Sequence, residues 1–489
     1  MTTDAPATPT PTPTKNGIEL TGLETIAESE RTGRPSGLFW PWFAANVSVF
    51  AIAYGAYVLG FGISFWQALI VGVIGIVVSF FLVGVVSLAG KRGSAPTMVL
   101  SRTMFGVDGA RVVALLSWIL TVGWETVLTV SAVYAVDATV AALGGPAGSP
   151  VTKIVSLIVV AGIVVVFGIF GFQLIMRLQL VITIVTGVVT VVYLVTILPL
   201  IDFGKVMATP AGPFALVVGA LVFMMTGFGL GWVNAGADYS RYLPRGSSGK
   251  GVIGWTTLGA ALAPSVLLVF GLLLAGSSKK LSDAIGSYSL GPLIPLTQPW
   301  FIIPFAIVVV LGLIAGAVMD IYSSGLALLA VGLKIPRPAA AGVDGVIMVL
   351  GSIYVLFFAG DFFGPFQGFL ITLGVPIAAW CGIFVADVIL RKKDLAEKDL
   401  YDRRGRYGSV RWLAIGLLVV GTVLGWGLVT NGYAPWLGWE GYLFGPEKGD
   451  FRVNWGGSNL GVLVALAVGF VGYLILGRAS IKAQESVEP

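Results

Sequence analysis

The sequence predicts an all-α polytopic membrane protein of about twelve transmembrane helices, and three observations predict it. Of 489 residues, 56% are hydrophobic and only 11% charged, against roughly 25% charged in a soluble domain. Apolar runs of the ~20 residues that a helix needs to cross a bilayer recur along the whole chain. The 29 lysines and arginines are also divided unevenly between the connections. With a cytoplasmic N-terminus, only Lys153, Lys205, Lys279, Lys280, Lys448 and Arg452 fall on the outer side. Positive charge concentrates in cytoplasmic loops. An even number of spans is therefore expected, in the plasma membrane, with both termini cytoplasmic.

Taken in order, residues 1–37 read as a disordered cytoplasmic tail. The Thr-Pro repeat of 7–14 offers nothing with which to build a core. No basic-then-apolar leader opens the chain, so no cleaved signal peptide is expected. The apolar segments follow at about 38–60, 63–89, 110–143, 152–171, 178–200, 213–240, 251–276, 298–332, 342–359, 364–390, 411–430 and 457–477. The third and eighth exceed one bilayer thickness and are expected to tilt or to project beyond it. If the first and sixth correspond, 38–200 and 213–390 are two five-helix repeats. A basic cytoplasmic loop, 391–410, then leads to two additional helices within 411–477, and 478–489 forms a cytoplasmic tail.

Composition also excludes whole classes of function. Histidine is absent and Cys381 is the one cysteine. That removes histidine acid–base catalysis, Ser-His-Asp and Cys-His nucleophiles, His or Cys metal sites, and disulfides within the chain. The pI near 9.2 is explained by the loop asymmetry and implies no nucleic-acid partner. The partners implied are the lipid bilayer and a small molecule. No enzyme activity is expected.

Four features carry function. The sixth segment is interrupted by Gly227, Gly229 and Gly231 and ends in a polar run. A break in a helix at membrane depth is tolerable only where it faces protein or a water-filled cavity. Asn46 and Ser48 stand in the otherwise apolar first segment. Hydrogen bonding to a neighbouring helix would account for them, but a second break, partner to the first, accounts for them as well. Glu125 and Asp320 lie mid-way along the third and eighth segments with no lysine or arginine near them in sequence. Ionisable groups at such depth face a cavity or an ion pathway. Asp137, Asp238, Asp344 and Asp387 fall near expected helix ends and read as solvated or capping. Finally, Trp124 adjoins Glu125, while Phe228 and Trp232 flank the glycines. Singly these aromatics are ordinary packing; together they could hold a flat ligand by its ring faces.

The loop 90–106 (Gly-Lys-Arg-Gly-Ser-Ala-Pro-Thr-Met-Val-Leu-Ser-Arg-Thr-Met-Phe-Gly), Gly123-Trp124-Glu125, Ala237-Asp-Tyr-Ser-Arg-Tyr242 and Tyr322-Ser-Ser-Gly-Leu326 resemble the nucleobase–cation symporter family, purine/cytosine permease branch. The resemblance implies a LeuT-like fold of two inverted five-helix repeats plus two C-terminal helices. It implies first and sixth spans broken at the midplane, with the third and eighth completing the site. On that resemblance Trp124 stacks on the substrate, Asp320 occupies the place of a polar substrate contact, and Phe228 to Trp232 form the broken part of the sixth span.

The expected substrate site is therefore Trp124, Glu125, Phe228, Gly229, Gly231, Trp232 and Asp320. Asn46, Ser48, Glu125 and Asp320 are the candidates for cation or proton coupling. One departure bears on the ion. Sodium-coupled relatives carry hydroxyls in the eighth span ahead of the substrate contact, where this chain has Gly312-Leu-Ile-Ala-Gly-Ala-Val318. Hard cations want oxygen ligands, whereas buried carboxyl groups commonly carry protons. H⁺ is accordingly favoured over Na⁺ as the co-transported ion, and no cofactor is expected. The expected function is symport of a nucleobase such as cytosine or a purine. Allantoin, hydantoin, pyridoxine and thiamine are the alternatives. A membrane-embedded carboxylate enzyme or a channel is the reading from another class. Neither a paired catalytic motif nor a pore-lining ring supports it.

Overall fold

The computed structural model describes residues 14–15, 18–19, 22–170, 172–432 and 435–487. The described residues are helical apart from connections and a two-residue antiparallel pairing of Thr14–Lys15 with Ile18–Glu19. Among them, nine helices are long and apolar enough to cross a membrane, or up to 11 spans when each of two bent pairs is taken as one. The shorter apolar helix Trp412–Trp426 stands where the eleventh of the twelve expected spans falls.

Numbered by that order, span one is Pro35–Asn46 plus Phe50–Leu59, two helices meeting at 65°. Span two is Phe65–Gly93, span three Ala110–Ala142, span four Pro150–Phe170 and span five Val181–Leu200. Span six is Phe214–Ser240, span seven Gly249–Ser277, span eight Pro299–Val331, span nine Arg337–Phe357 and span ten Phe363–Leu390. Trp412–Trp426 is span eleven, and Asp450–Ser458 with Gly461–Leu476, bent by 73°, is span twelve.

Lipid explains the surface. On span four Val151, Ile154, Val155, Ile158 and Val159 are exposed, while Leu157, Val160, Ala161 and Val164 are buried. The exposed stripe has helical spacing and is as apolar as the buried one. A helix packed on one side and bathed in hydrocarbon on the other carries this pattern.

Packing divides the spans into two sets. Spans one, two, six and seven pack on one another, and spans three, four, eight and nine do the same, with three and eight in the longest contact. Span ten leans on spans two, three and six and carries spans eleven and twelve on its other side. Spans three and eight, and four and nine, hold equivalent places in the two five-helix halves.

One end of the bundle is sealed. Gly22 to Gly37 pack there, in contrast to the unstructured tail expected as far as residue 37. Ile26 is buried and its N–H donates to the Ser94 carbonyl at 2.9 Å. Arg31 is buried too, and with Arg245 it clamps Glu397 at 2.7 and 2.5 Å. An apolar anchor at Ile26 inside a polar stretch is enough to fasten the segment down. Of the Thr-Pro repeat, all but Thr14 lies outside the described residues. The 391–410 loop covers the same end, with Leu395, Leu400 and Tyr407 buried.

Candidate functional site

The cavity lies where spans one and six break. Span one stops at Asn46, and Val47 leaves the helix at φ −77°, ψ 43°. The Asn46 side chain donates to the Trp42 carbonyl one turn back, at 2.9 Å. Ser48 Oγ accepts from the Phe50 N–H at 3.3 Å and starts the second half-helix. Ser48 thus serves a free backbone N–H at the start of the second half-helix, while the Asn46 side chain turns back onto its own last turn.

Span six stops at Gly227, and Phe228 sits at φ −121°, ψ −106°. The helix resumes at once at Gly229. Two buried hydroxyls take up the groups released. Tyr54 Oη donates to the Gly227 carbonyl at 2.9 Å, and the Gly229 N–H donates to Ser79 Oγ at 3.0 Å. The glycines are needed for closeness. A Cβ on Gly229 would stand 2.1 Å from the Ser79 backbone, and one on Gly231 would stand 2.7 Å from the Trp124 indole nitrogen.

Residues 45, 46, 48, 50, 51 and 54 of span one, Trp124 and Leu128 of span three, Gly227, Phe228 and Trp232 of span six, and Gly312, Gly316 and Asp320 of span eight line this cavity. It leaves about 50 Å³ for solvent. On that measure one water takes about 10–15 Å³, so the cavity holds a few waters and must widen for an aromatic ring. Tyr54 and Phe228 lie 4.4 Å apart, ring to ring. Trp232 meets Trp42 edge-on at 5.7 Å, and Trp124 meets Phe366 edge-on at 5.5 Å. Asp320 is 1% exposed, and neither of its oxygens has a hydrogen-bond partner. The Trp124 indole N–H is also unpartnered. An acceptor and a donor without partners, set among ring faces, suit a flat molecule with N–H and C=O groups on its edge.

The structure gathers Asn46, Ser48, Trp124, Phe228, Trp232 and Asp320 at the cavity. It leaves out three other expected contacts. Gly229 and Gly231 lie behind the wall, packed on span two and on Trp124. Glu125 does not line the cavity. Successive residues of a helix point about 100° apart, so the turn that aims Trp124 inward aims Glu125 between spans eight and nine.

There Glu125 meets Asp344, which is fully buried rather than solvated at a helix end. Span nine begins at Arg337, earlier than the expected 342, and this puts Asp344 two turns inside it. The proline at that start is the signal that would have placed it. Sequence reasoning also missed Tyr54, which carries the polar tip that satisfies Gly227.

Above the cavity an open vestibule of about 780 Å³ lies at the end opposite the sealed one, lined among others by Tyr57, Phe61, Asp283, Asp361, Phe363 and Gln367. Phe366 separates the two, in ring contact with Trp124 below and with Phe50, Tyr54 and Tyr57 around it. In the other direction the route is shut in layers. Tyr239 Oη donates to the Met319 carbonyl at 3.2 Å, and Arg241 donates to Tyr322 Oη at 2.8 Å. Asp238 accepts from the Thr97 N–H and hydroxyl at 2.7 and 2.8 Å. Thus the run 237–242 of the resemblance closes the path below the cavity.

A family model described as a permease for cytosine/purines, uracil, thiamine, allantoin matches residues 25–438. The putative purine-cytosine permease YxlA of Bacillus subtilis is 23% identical over 474 residues, covering 95% of this chain and 97% of that protein. The purine-cytosine permease FCY2 of Saccharomyces cerevisiae is 26% identical over 469 residues, covering 90% of this chain and 84% of that protein. Among solved structures, Mhp1, a nucleobase-cation-symport-1 family transporter in a closed conformation with bromovinylhydantoin bound, superposes with a TM-score of 0.67 at 19% identity, over 96% of both chains. A Na⁺-coupled sialic acid symporter superposes with a TM-score of 0.59 at 13% identity, over 93% of both chains. At these identities the structures establish the fold, the LeuT-like five-plus-five arrangement.

Proposed function

Because the chain belongs to the family of permeases for cytosine/purines, uracil, thiamine and allantoin, we propose that it imports a nucleobase across the plasma membrane together with a cation. It is a transporter and not an enzyme. The observation that carries the substrate class is Asp320, a buried carboxyl group without a partner in a cavity walled by Trp124, Phe228 and Trp232. The ring stacks between Trp124 and the aromatics of span six, and its N–H or amino edge donates to Asp320. Stacking tolerates many heterocycles, whereas a buried acceptor rejects rings that present no donor to it. Allantoin, hydantoin, pyridoxine and thiamine remain the alternative substrates within this chemistry.

The basic, sealed end is cytoplasmic in this reading, with both termini there. The vestibule then faces outward, which makes this conformation outward-facing with a narrow site. Entry of substrate parts Phe366 from Trp124. Exit requires spans one, two, six and seven to rock against three, four, eight and nine, which breaks the Tyr239–Met319, Arg241–Tyr322 and Asp238–Thr97 contacts.

The coupled ion is H⁺ in preference to Na⁺. Span eight meets the break in span one through glycines. A Cβ on Gly312 would face Ser48 at 3.5 Å, and one on Gly316 would face the Ala45 carbonyl at 3.8 Å. That junction offers backbone oxygen and Ser48, and span eight adds no side-chain oxygen there.

Uptake of radiolabelled cytosine, adenine, guanine, uracil and allantoin into cells expressing the wild type and Asp320→Asn tests the reading. Concentrative uptake of one of them by the wild type alone is expected. Equal uptake by the variant, or no uptake of any, would overturn it.

A further inference from the structure

Behind Trp124, on the side of span three that faces away from the cavity, lies a second buried polar site. Glu125 is 0% exposed, and neither carboxyl oxygen has a hydrogen-bond partner. Asp344 of span nine, also 0% exposed, interacts electrostatically with it and shares Ser324 as a neighbour. Asp344 accepts from Trp118 Nε1 at 2.6 Å and from Ser324 Oγ at 2.8 Å. Ser324 lies within reach of Glu125 but has a single hydrogen, and this points to Asp344. Two facts about position follow from helical spacing. Trp118 is two turns from Glu125 on the same face of span three. Ser324 is one turn from Asp320 on span eight. The polar groups therefore run from the cavity at Asp320, past Ser324, to the Glu125–Asp344 pair.

Among the described residues no positive charge answers this pair. From span eight it is faced by Asp320 and the hydroxyl of Ser324. From span nine, Arg337 turns away to the carbonyls of Gly168 and Ile169, at 3.0 and 2.7 Å, and stands over the Tyr322 ring. Span four carries only Lys153, at its far end over Tyr134. The ionisable Asp387 of span ten is engaged by Arg391 at the sealed end. Among the described residues no three His, Cys, Asp or Glu side chains converge as a metal site would require. Two neighbouring carboxyl groups without counter-charge in a low-dielectric interior cannot both be ionised, and share a proton instead. The proton also supplies the donor that Glu125 lacks.

We propose that Glu125 and Asp344 form the proton-carrying site of the transporter, separate from the substrate cavity and joined to it through Ser324 and Asp320. The site lies in the seam between spans three, eight and nine. Ser324 belongs to the same helix as Asp320, so a shift of span eight on substrate binding alters one of the two hydrogen bonds that orient Asp344. The proton is bound and released intact, with no other bond made or broken. The inference rests on the transport reading above and assigns its coupling ion a place.

Two measurements test it, and their failures are distinguishable. In the first, infrared difference spectra of purified protein, with carboxyl protons exchanged for deuterium, are compared among wild type, Glu125→Gln, Asp344→Asn and Asp320→Asn. Loss of one shared protonated-carboxyl band in both Glu125→Gln and Asp344→Asn, with that band kept in Asp320→Asn, is expected. A spectrum unchanged by either of the first two overturns the pair, whatever the protein transports. In the second, proteoliposomes are assayed for pH-gradient-driven accumulation and for exchange of radiolabelled cytosine and adenine. Glu125→Gln and Asp344→Asn should lose accumulation entirely and keep exchange. The Asn at 344 still accepts from Trp118, so folding does not decide the outcome. Accumulation equal to wild type in both variants overturns the coupling role. The infrared result combined with no exchange by any variant or the wild type would instead overturn the substrate reading and leave the proton pair standing.

Discussion

Asp320 and Glu125 look alike in sequence and differ in structure. Each is an acidic residue near the middle of a long apolar helix, each is buried, and neither has a hydrogen-bond partner. Asp320 nevertheless opens onto a cavity between two broken helices. Glu125 does not line that cavity and faces Asp344 and Ser324. An unpartnered acceptor in a cavity asks for a ligand that fills the cavity; one in a dry seam asks for a ligand no larger than a proton. Depth in the membrane marks a carboxyl group as functional. What it does is decided by which way one turn of helix points it.

The comparison can be broken at several places. The largest effect is expected at Asp320. A hydrogen bond to a charged group contributes about 1.5–3 kcal/mol, so Asp320→Asn should weaken nucleobase binding by roughly 10- to 150-fold, read by equilibrium binding to purified protein. Glu125→Gln in the same assay should bind near wild-type affinity and fail only in accumulation. Trp124 stands between the two sites. Removal of an aromatic that stacks on a base costs about 1–3 kcal/mol, and Trp124→Ala should raise the dissociation constant by about tenfold, with Trp124→Phe recovering part of the loss.

The two glycines behind the wall sharpen the contrast between binding and fold. A Cβ on Gly229 meets the Ser79 backbone at 2.1 Å, whereas one on Gly231 meets the Trp124 side chain at 2.7 Å. Backbone cannot yield as a side chain can, and overpacking costs about 1–3 kcal/mol. Gly229→Ala should lower the melting temperature, while Gly231→Ala should leave it closer to wild type and weaken binding through a displaced indole. The reverse ranking in thermal unfolding would contradict the packing account.

The smallest effect is expected at Glu440, a buried carboxyl outside the spans, beside Thr372 and Asn431. Burial raises its pKa from the ordinary 4.5 to about 6. The folded protein then holds a proton that the unfolded chain has released between those values. Stability should fall as pH rises from about 4.5 to about 6 and be level above it. In Glu440→Gln this slope should flatten, with transport coupling unchanged. Melting curves across that pH range measure it, and they separate a merely buried carboxyl from the three that serve transport.

Much of the architecture was legible because bilayer length and apolar composition leave few alternatives. The break in span six was legible in the closely spaced Gly227, Gly229 and Gly231 at membrane depth. Asn46 and Ser48 fitted either a hydrogen bond to a neighbouring helix or a break in span one, and the structure shows the break. The cavity's aromatic walls could be read by proximity to those breaks. What could not be read was facing. Trp124 and Glu125 are adjacent in sequence and serve different sites. Asp344 falls at a helix end only if span nine starts at 342, and the helix starts five residues earlier, at Arg337. Ile26 differs from its polar neighbours through burial and its N–H bond to the Ser94 carbonyl, which composition does not show. Such errors concern rotation about a helix axis and single apolar anchors, which hydropathy does not encode.

Exchange of radiolabelled nucleobase in proteoliposomes, measured side by side for Asp320→Asn and Glu125→Gln, tests most directly the claim that these two carboxyl groups serve different sites. Exchange lost in Asp320→Asn and kept in Glu125→Gln is the predicted result. Exchange kept in Asp320→Asn, or lost equally in both, would contradict it.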